Sequence, residues 1–251
     1  MSIYQYLYPN FPHSFFSGCW KIKIKRLALL IVAIVFMSAF SASAETRQSP
    51  SEAPKAIKNG WSPFQFSVFN PLQLFNEDKD IVGLRLNLVY GRNADVSGID
   101  LGLGVNSSHN FTGIQIAGIM NNAAGDPGDF MGIGIQIACL GNTTDHLYGI
   151  QIGGLGNGVT NDATGIQIGL VGNVASTVKG IQIGGLYNFN NGKNSSITGI
   201  QIGTFNYSDN VTGIQVGLYN ECINMRGIQV GILNHIEKGY MRFMPIINAK
   251  F

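Results

Sequence analysis

Charge is scarce in this chain. Asp, Glu, Lys and Arg make up only 12% of 251 residues, and the formal net charge is +2. Even that excess is local. Lys21, Lys23, Lys25 and Arg26 lie before Ala44; beyond them 12 Lys and Arg face 14 Asp and Glu, a balance of −2. No basic patch is left to attract nucleic acid. Cysteine is rarer still. Cys19, Cys139 and Cys222 are the only three, which excludes a disulfide-stapled fold. Long apolar runs are missing as well: the longest uncharged one, Leu27 to Phe40, has 14 residues, short of the roughly 20 a spanning helix needs. Gly-x-Ser-x-Gly, phosphate-loop and His-Glu-x-x-His signatures do not occur, so the common hydrolase, nucleotide and zinc-protease chemistries have no anchor.

The amino-terminal 60 residues read as targeting and tether. Lys21-Ile-Lys-Ile-Lys-Arg26 is a basic n-region, Leu27–Phe40 an apolar h-region, and Ala42-Ser43-Ala44 a small-x-small cleavage site. That order reads as a secretory signal peptide over residues 1–44, cut after Ala44, and it implies export; the alternative is an uncleaved membrane anchor. Met1–Trp20 is either an extended n-region or the product of an unused upstream start. Residues 45–60 are rich in Pro, Ser and Lys and read as a flexible linker. Residues 61–82 then form an N-terminal strand or cap. Phe64, Phe66 and Val68 alternate with Gln65 and Ser67, while Pro63 and Pro71 confine the strand to a sheet edge or end. Asn76-Glu-Asp-Lys-Asp80 is a polar turn without calcium-loop spacing.

Gly is abundant, 33 residues, and ten of them head a repeated word. Gly-Ile-Gln-Ile-Gly stands at Gly149, Gly165, Gly180 and Gly199; close variants begin at Gly113, Gly134, Gly213 and Gly227, and looser ones at Gly83 and Gly98. Gaps of 14 to 16 residues, stretched to 21 and 19 by polar insertions at Asn121–Phe130 and Phe189–Ser196, mark a repeat array over residues 83–238. Within a copy, Ile alternates with Gly and Gln, a β period. Two polar columns follow. One is Gln115, Gln136, Gln151, Gln167, Gln182, Gln201, Gln215 and Gln229. The other is an Asn seven or eight residues after each repeat glycine from Gly98 onward: Asn106, Asn121, Asn142, Asn157, Asn173, Asn188, Asn206, Asn220 and Asn234.

The fold class is therefore all-β, in one of two architectures. The first and preferred is a β-solenoid of about ten coils, one copy per coil, stacked about 4.8 Å apart into a rod of roughly 45–50 Å. There the Ile face is expected to fill the core, Gly to form close corners, and Gln and Asn to form hydrogen-bonded ladders. The Gln column could instead be a flat face for a glycan or polymer; a ladder is the preferred reading. The alternative is a 12-stranded outer-membrane barrel, one strand per copy, with Ile toward lipid. Residues 239–251 suit it as a last strand: Phe243, Pro245, Ile247, Ala249 and Phe251 share one face.

At Gly213-Ile-Gln-Val-Gly-Leu-Tyr-Asn220 and Gly227-Ile-Gln-Val-Gly-Ile-Leu-Asn234 the chain resembles the bacterial surface repeat-containing envelope proteins. The lead-in Asn70–Phe75 and Gly83–Gly91 is similar too, and the resemblance runs from about Phe64 to Phe251. It implies export and a surface or outer-membrane location. The family's function is unassigned, so it supplies no catalytic residues.

Little else carries chemistry. His109, His146 and His235 occupy different repeat positions, and the Asp residues, Asp100 among them, are scattered singly, so neither a metal nor a cofactor is expected. Cys139 and Cys222 also differ in repeat position and are expected as free thiols. Asn-x-Ser/Thr triplets at Asn106, Asn110, Asn142, Asn194, Asn206 and Asn210 reflect turn composition. The expectation is an exported, non-enzymatic envelope protein, structural or partner-binding, its partner classes being a surface glycan or the outer membrane. The alternative is a barrel acting as a pore.

Overall fold

The computed structural model describes residues 60–123, 131–192 and 194–251. The signal peptide, nearly all of the 45–60 linker and most of the Asn121–Phe130 insertion lie outside the described residues. Seventeen strands and no helix occur among the described residues. They wind into a β-solenoid of about 11 turns.

One coil shows the plan. Strand β8 (His146–Gly153) carries Gly-Ile-Gln-Ile-Gly and bends at Gly154–Leu155 into β9 (Gly156–Val159), which carries the Asn. A second bend at Thr160–Asn161 leads into β10 (Asp162–Gly169). β10 pairs in parallel with β8, one coil back, and with β12 (Thr177–Gly184), one coil ahead. β9 pairs likewise with β11 (Gly172–Ala175). Two parallel walls result, one of eight-residue strands and one of four-residue strands. Every repeat glycine faces the next in register, as do every Ile and Gln: Gly149, Gly165, Gly180, Gly199, Gly213 and Gly227 form one row. β1 (Trp61–Phe69) supplies an additional coil at the amino-terminal end, with Gln65 beside Arg85 and Phe64 beside Leu84 of β3 (Asp80–Gly102). Counting it gives 11 turns where the repeat glycines alone mark ten.

This pairing overturns the barrel. A closed transmembrane barrel joins successive strands in antiparallel hairpins. Here successive strands of a copy sit on opposite walls, and the partner of each is the equivalent strand one repeat away. Among the described residues only the two ends are antiparallel. β2 (Leu72–Gln73) turns back on β1, and β17 (Phe243–Lys250) turns back on β16 (Tyr219–Ile236). The carboxy-terminal strand is thus the lid of the last coil rather than a barrel stave. It aligns Asn248 with Gln229 and stacks Phe243 on His235 at 4.2 Å.

The expected orientation of the repeat word is also corrected. Ile does not fill the core. Gln167 is 1% exposed, whereas Ile168 beside it is 36% exposed. The same inversion runs along the array. The apolar core comes instead from two columns outside the word. One stands two residues before each repeat glycine and includes Ile81, Val96, Phe111, Leu147, Val178, Ile197, Val211 and Met225. The other lies on the short wall and includes Ala123, Val159, Ala175, Cys222 and Ile236. Side chains alternate along a strand, so an inward residue two before the glycine forces the Gln two after it inward and both Ile outward.

The repeat glycine has a different role from a corner. Gly165 lies inside β10 at φ +134°, a region closed to residues with a Cβ, and an added methyl would strike the carbonyl oxygen of Gly149 in the coil before. Gly169, two residues past the Gln, leaves room for the Asn173 side chain, since a Cβ there would meet the backbone of Gly172 and Asn173 Oδ1. Gly165→Ala should therefore lower stability by at least about 2 kcal/mol. Lys179→Ala, at an exposed position of the next coil, should stay within about 0.5 kcal/mol. Urea midpoints of the two variants check this; equal midpoints would mean the backbone can relax around a side chain at 165.

Candidate functional site

The sequence-derived polar columns come together inside the solenoid. Gln136 Nε2 donates to Gln115 Oε1 at 2.8 Å, and Gln151, Gln167, Gln182, Gln201, Gln215 and Gln229 each donate to the Gln one coil nearer the amino terminus, at 2.7–3.1 Å. The Asn column runs the other way. Asn106 and Asn121 donate toward the carboxy terminus, and Asn142, Asn157, Asn173, Asn188, Asn206 and Asn220 continue to Asn234, with Nδ2–Oδ1 distances of 2.8–3.0 Å. Each Asn also gives a proton to the backbone of the long wall; Asn142, for example, donates to the Ile152 carbonyl at 2.9 Å. All seventeen residues of the two expected ladders are buried, none above 4% exposed. A glycan cannot reach the Gln column, so the alternative reading of that column as a binding face is withdrawn. Asn106, Asn142 and Asn206 are equally inaccessible as glycosylation acceptors.

Buried amides are costly when unpaired, and their spacing here removes that cost. Parallel stacking repeats at about 4.8 Å, the distance at which identical amides bond along a fibre axis. The ends need other partners. At the amino-terminal end of the Gln ladder stand Arg85 and Asp100, both fully buried. Arg85 donates to Asp100 through Nε at 2.8 Å and through a terminal nitrogen at 2.6 Å. Asp100 also accepts from Gln115 at 2.7 Å and from Asn87 at 3.1 Å. A carboxylate has no proton to give, so it stops the run of donors, and the two-pronged guanidinium offsets its charge. Above the pair, Gln65 donates to the Phe75 carbonyl and accepts from the Phe75 amide, at 2.8 and 3.0 Å. At the far end Gln229 Oε1 is buried without a partner.

Reading the carboxylates as singly scattered residues misses Arg85 and Asp100. The signal was present: Gly83-Leu-Arg-Leu and Gly98-Ile-Asp-Leu place Arg and Asp at the Gln position. The pair yields a sharp test. Asp100→Asn leaves a buried guanidinium uncompensated and should cost about 3–5 kcal/mol. The double variant Arg85→Gln/Asp100→Gln extends the amide ladder and should recover most or all of that loss. Gln167→Leu should cost about 2–4 kcal/mol, since it orphans the Gln151 acceptor and a Gln182 donor. Denaturant titration checks all three; a double variant no better than Asp100→Asn would refute the interchangeability of the pair with amides.

Other candidate groups stay apart. His146 lies 3.6 Å from Asp162, and His235 lies 3.5 Å from Glu221 beneath Phe243. Among the described residues no group of three His, Cys, Asp or Glu could hold a metal ion. Cys139 and Cys222 are free thiols. Burial, reinforced by Glu221, pushes the Cys222 thiol up to about 12, so it stays protonated and inert at neutral pH. Native protein beginning at Glu45 should react with one equivalent of a thiol reagent, at exposed Cys139, and with two after unfolding. Two equivalents in the native state would contradict the burial of Cys222.

What the solenoid shows to the outside is apolar. The two outward positions of the word, one and three residues after the repeat glycine, are Ile, Leu, Val or Phe in all eleven coils. Ile116 and Ile202 are 40% and 41% exposed. Leu103, Leu170, Leu218 and Ile232 extend the surface at the next corner. In the carboxy-terminal half a shallow groove of about 800 Å³ runs along it, lined by Gly185, Gly203 and Gly217 and by Ile202, Val216, Leu218, Val230 and Ile232. Comparison with protein-family models, curated proteins and solved structures returns no match.

Proposed function

We propose that the protein is an exported, non-enzymatic scaffold of a bacterial envelope that works through the outside of its solenoid. The observation that carries this is the division between inside and outside. The ladder amides are spent on one another in the core, while the long wall turns an uncharged apolar face outward. A continuous face of that kind marks an interaction surface rather than a site of bond-making chemistry. The basic, apolar and small-residue order of Lys21 to Ala44 supports export, and the resemblance to surface repeat-containing envelope proteins supports the envelope. The barrel and pore reading is dropped with the antiparallel topology it required.

Cell fractionation with amino-terminal sequencing tests the proposal. The expected result is a chain beginning at Glu45 in the envelope or secreted fraction, β-rich and protease-resistant. An unprocessed chain in the cytosol would overturn it.

A further inference from the structure

We propose that the outward Ile face is the interface between two copies of this chain, packed wall on wall. This deepens the scaffold reading by naming the partner, and rests on it only in placing function on the outer face; it does not depend on where the chain resides.

Size comes first. Eleven coils at about 4.8 Å, by five residues at about 3.3 Å each, give a face of about 850 Å². That matches the roughly 800 Å² per partner of a stable protein interface and exceeds the few hundred Å² of apolar patch a monomer ordinarily exposes. Charge comes second. No outward position of the word is charged, so a like face meets no repulsion. Half of the bordering column one residue before each repeat glycine is Ser or Thr; Lys179 and Arg226 are its only cations and Tyr148 its only aromatic residue. A surface lying on lipid carries a dense basic and aromatic border, and two cations and one tyrosine in ten positions fall short of that. Shape comes third. Outward side chains repeat with the coil, so the ridges fit a surface of the same period, which a second copy has by construction. Bulk is uneven along the axis. Leu103, Leu170 and Ile232 stand out at 73%, 74% and 69% exposure, whereas Gly185 and Thr204 leave a gap between Leu170 and Leu218. A ridge of one copy then seats in the gap of the other. Sheets packed in this way bring their inner faces about 10 Å apart with side chains interleaved. The carboxy-terminal end of the rod is capped by the antiparallel strand β17, while β2 covers only Ser67 and Phe69 of β1 at the other end.

The test uses the protein purified from the fraction in which cells accumulate it, by sedimentation equilibrium from about 0.1 to 50 µM. The wild-type chain should be dimeric. Ile152→Lys/Ile183→Lys puts two charges at the centre of the face without touching the core, and should weaken the dimer at least about 100-fold while the melting temperature changes little. Thr160→Lys, at a bend between the walls, should leave the dimer intact. A folded wild-type chain that stays monomeric at 50 µM overturns the proposal. So does a double-lysine variant that dimerises like wild type, which would place the interface elsewhere. Flotation of wild-type monomer with phosphatidylcholine and phosphatidylglycerol vesicles would assign the face to lipid and equally overturn it. None of these outcomes bears on processing after Ala44, so the export reading stands or falls separately.

Discussion

Everything in this fold depends on the stacking of side-chain amides at the spacing of parallel strands. A Gln or Asn in an apolar interior is a liability unless both its donor and its acceptor find partners. One such residue per coil, at the same position in every coil, answers that requirement with its own neighbours. Gln167 bonds Gln151 below it and Gln182 above it, and Asn173 does the same in the opposite direction. The repeat is therefore a structural necessity as well as a pattern: a single copy would bury amides with nothing to meet them. The tolerance of the array for polar insertions follows. The stretch between Asn188 and Ser196 lengthens a bend while Gly180 and Gly199 still pair in register.

That same stacking explains which parts of the structure were legible in the sequence. The period of the repeat glycines, the β alternation and the recurrence of Gln and Asn specify a stacked coil, and both ladders lie where their columns indicated. The orientation of the word was not legible from hydrophobicity. Ile is more apolar than Gln, so a rule that sends apolar residues inward puts Ile168 in the core and Gln167 outside. The rule fails because Gln167 meets identical partners and loses little by burial, while the residue two before the glycine, Ala163 or Val178, already holds the inward place. That column fixes the parity of the strand, and it lies just outside the word that draws the eye. Arg85 and Asp100 were hidden for a related reason. Each looks like an isolated surface charge until its position is counted from Gly83 and Gly98.

The inversion also determines what the molecule offers to others. Placing the amides inside leaves the β-branched residues outside, in rows flush enough that each is only partly exposed. The short wall is different in kind. Phe189 and Tyr207 stack at 5.0 Å, and Tyr207 donates to Asp209. Burial and then that carboxylate raise the Tyr207 hydroxyl above its ordinary range. These rings spend their faces on one another along the axis and turn their edges outward, so the two walls of the rod are unequal surfaces.

The opposed directions of the two ladders have a consequence for the length of the rod. A lone column of aligned amides would gain a dipole increment with each added coil, and its ends would become steadily harder to accommodate. With Gln donating one way and Asn the other, the increments of each coil largely cancel. The terminal groups, Asp100 with Arg85 at one end and the lid strand at the other, then meet the same field whatever the number of coils between them. Whole repeats can be duplicated or lost in the middle of such a chain without retuning either end, which makes copy number a neutral variable on which selection for reach can act.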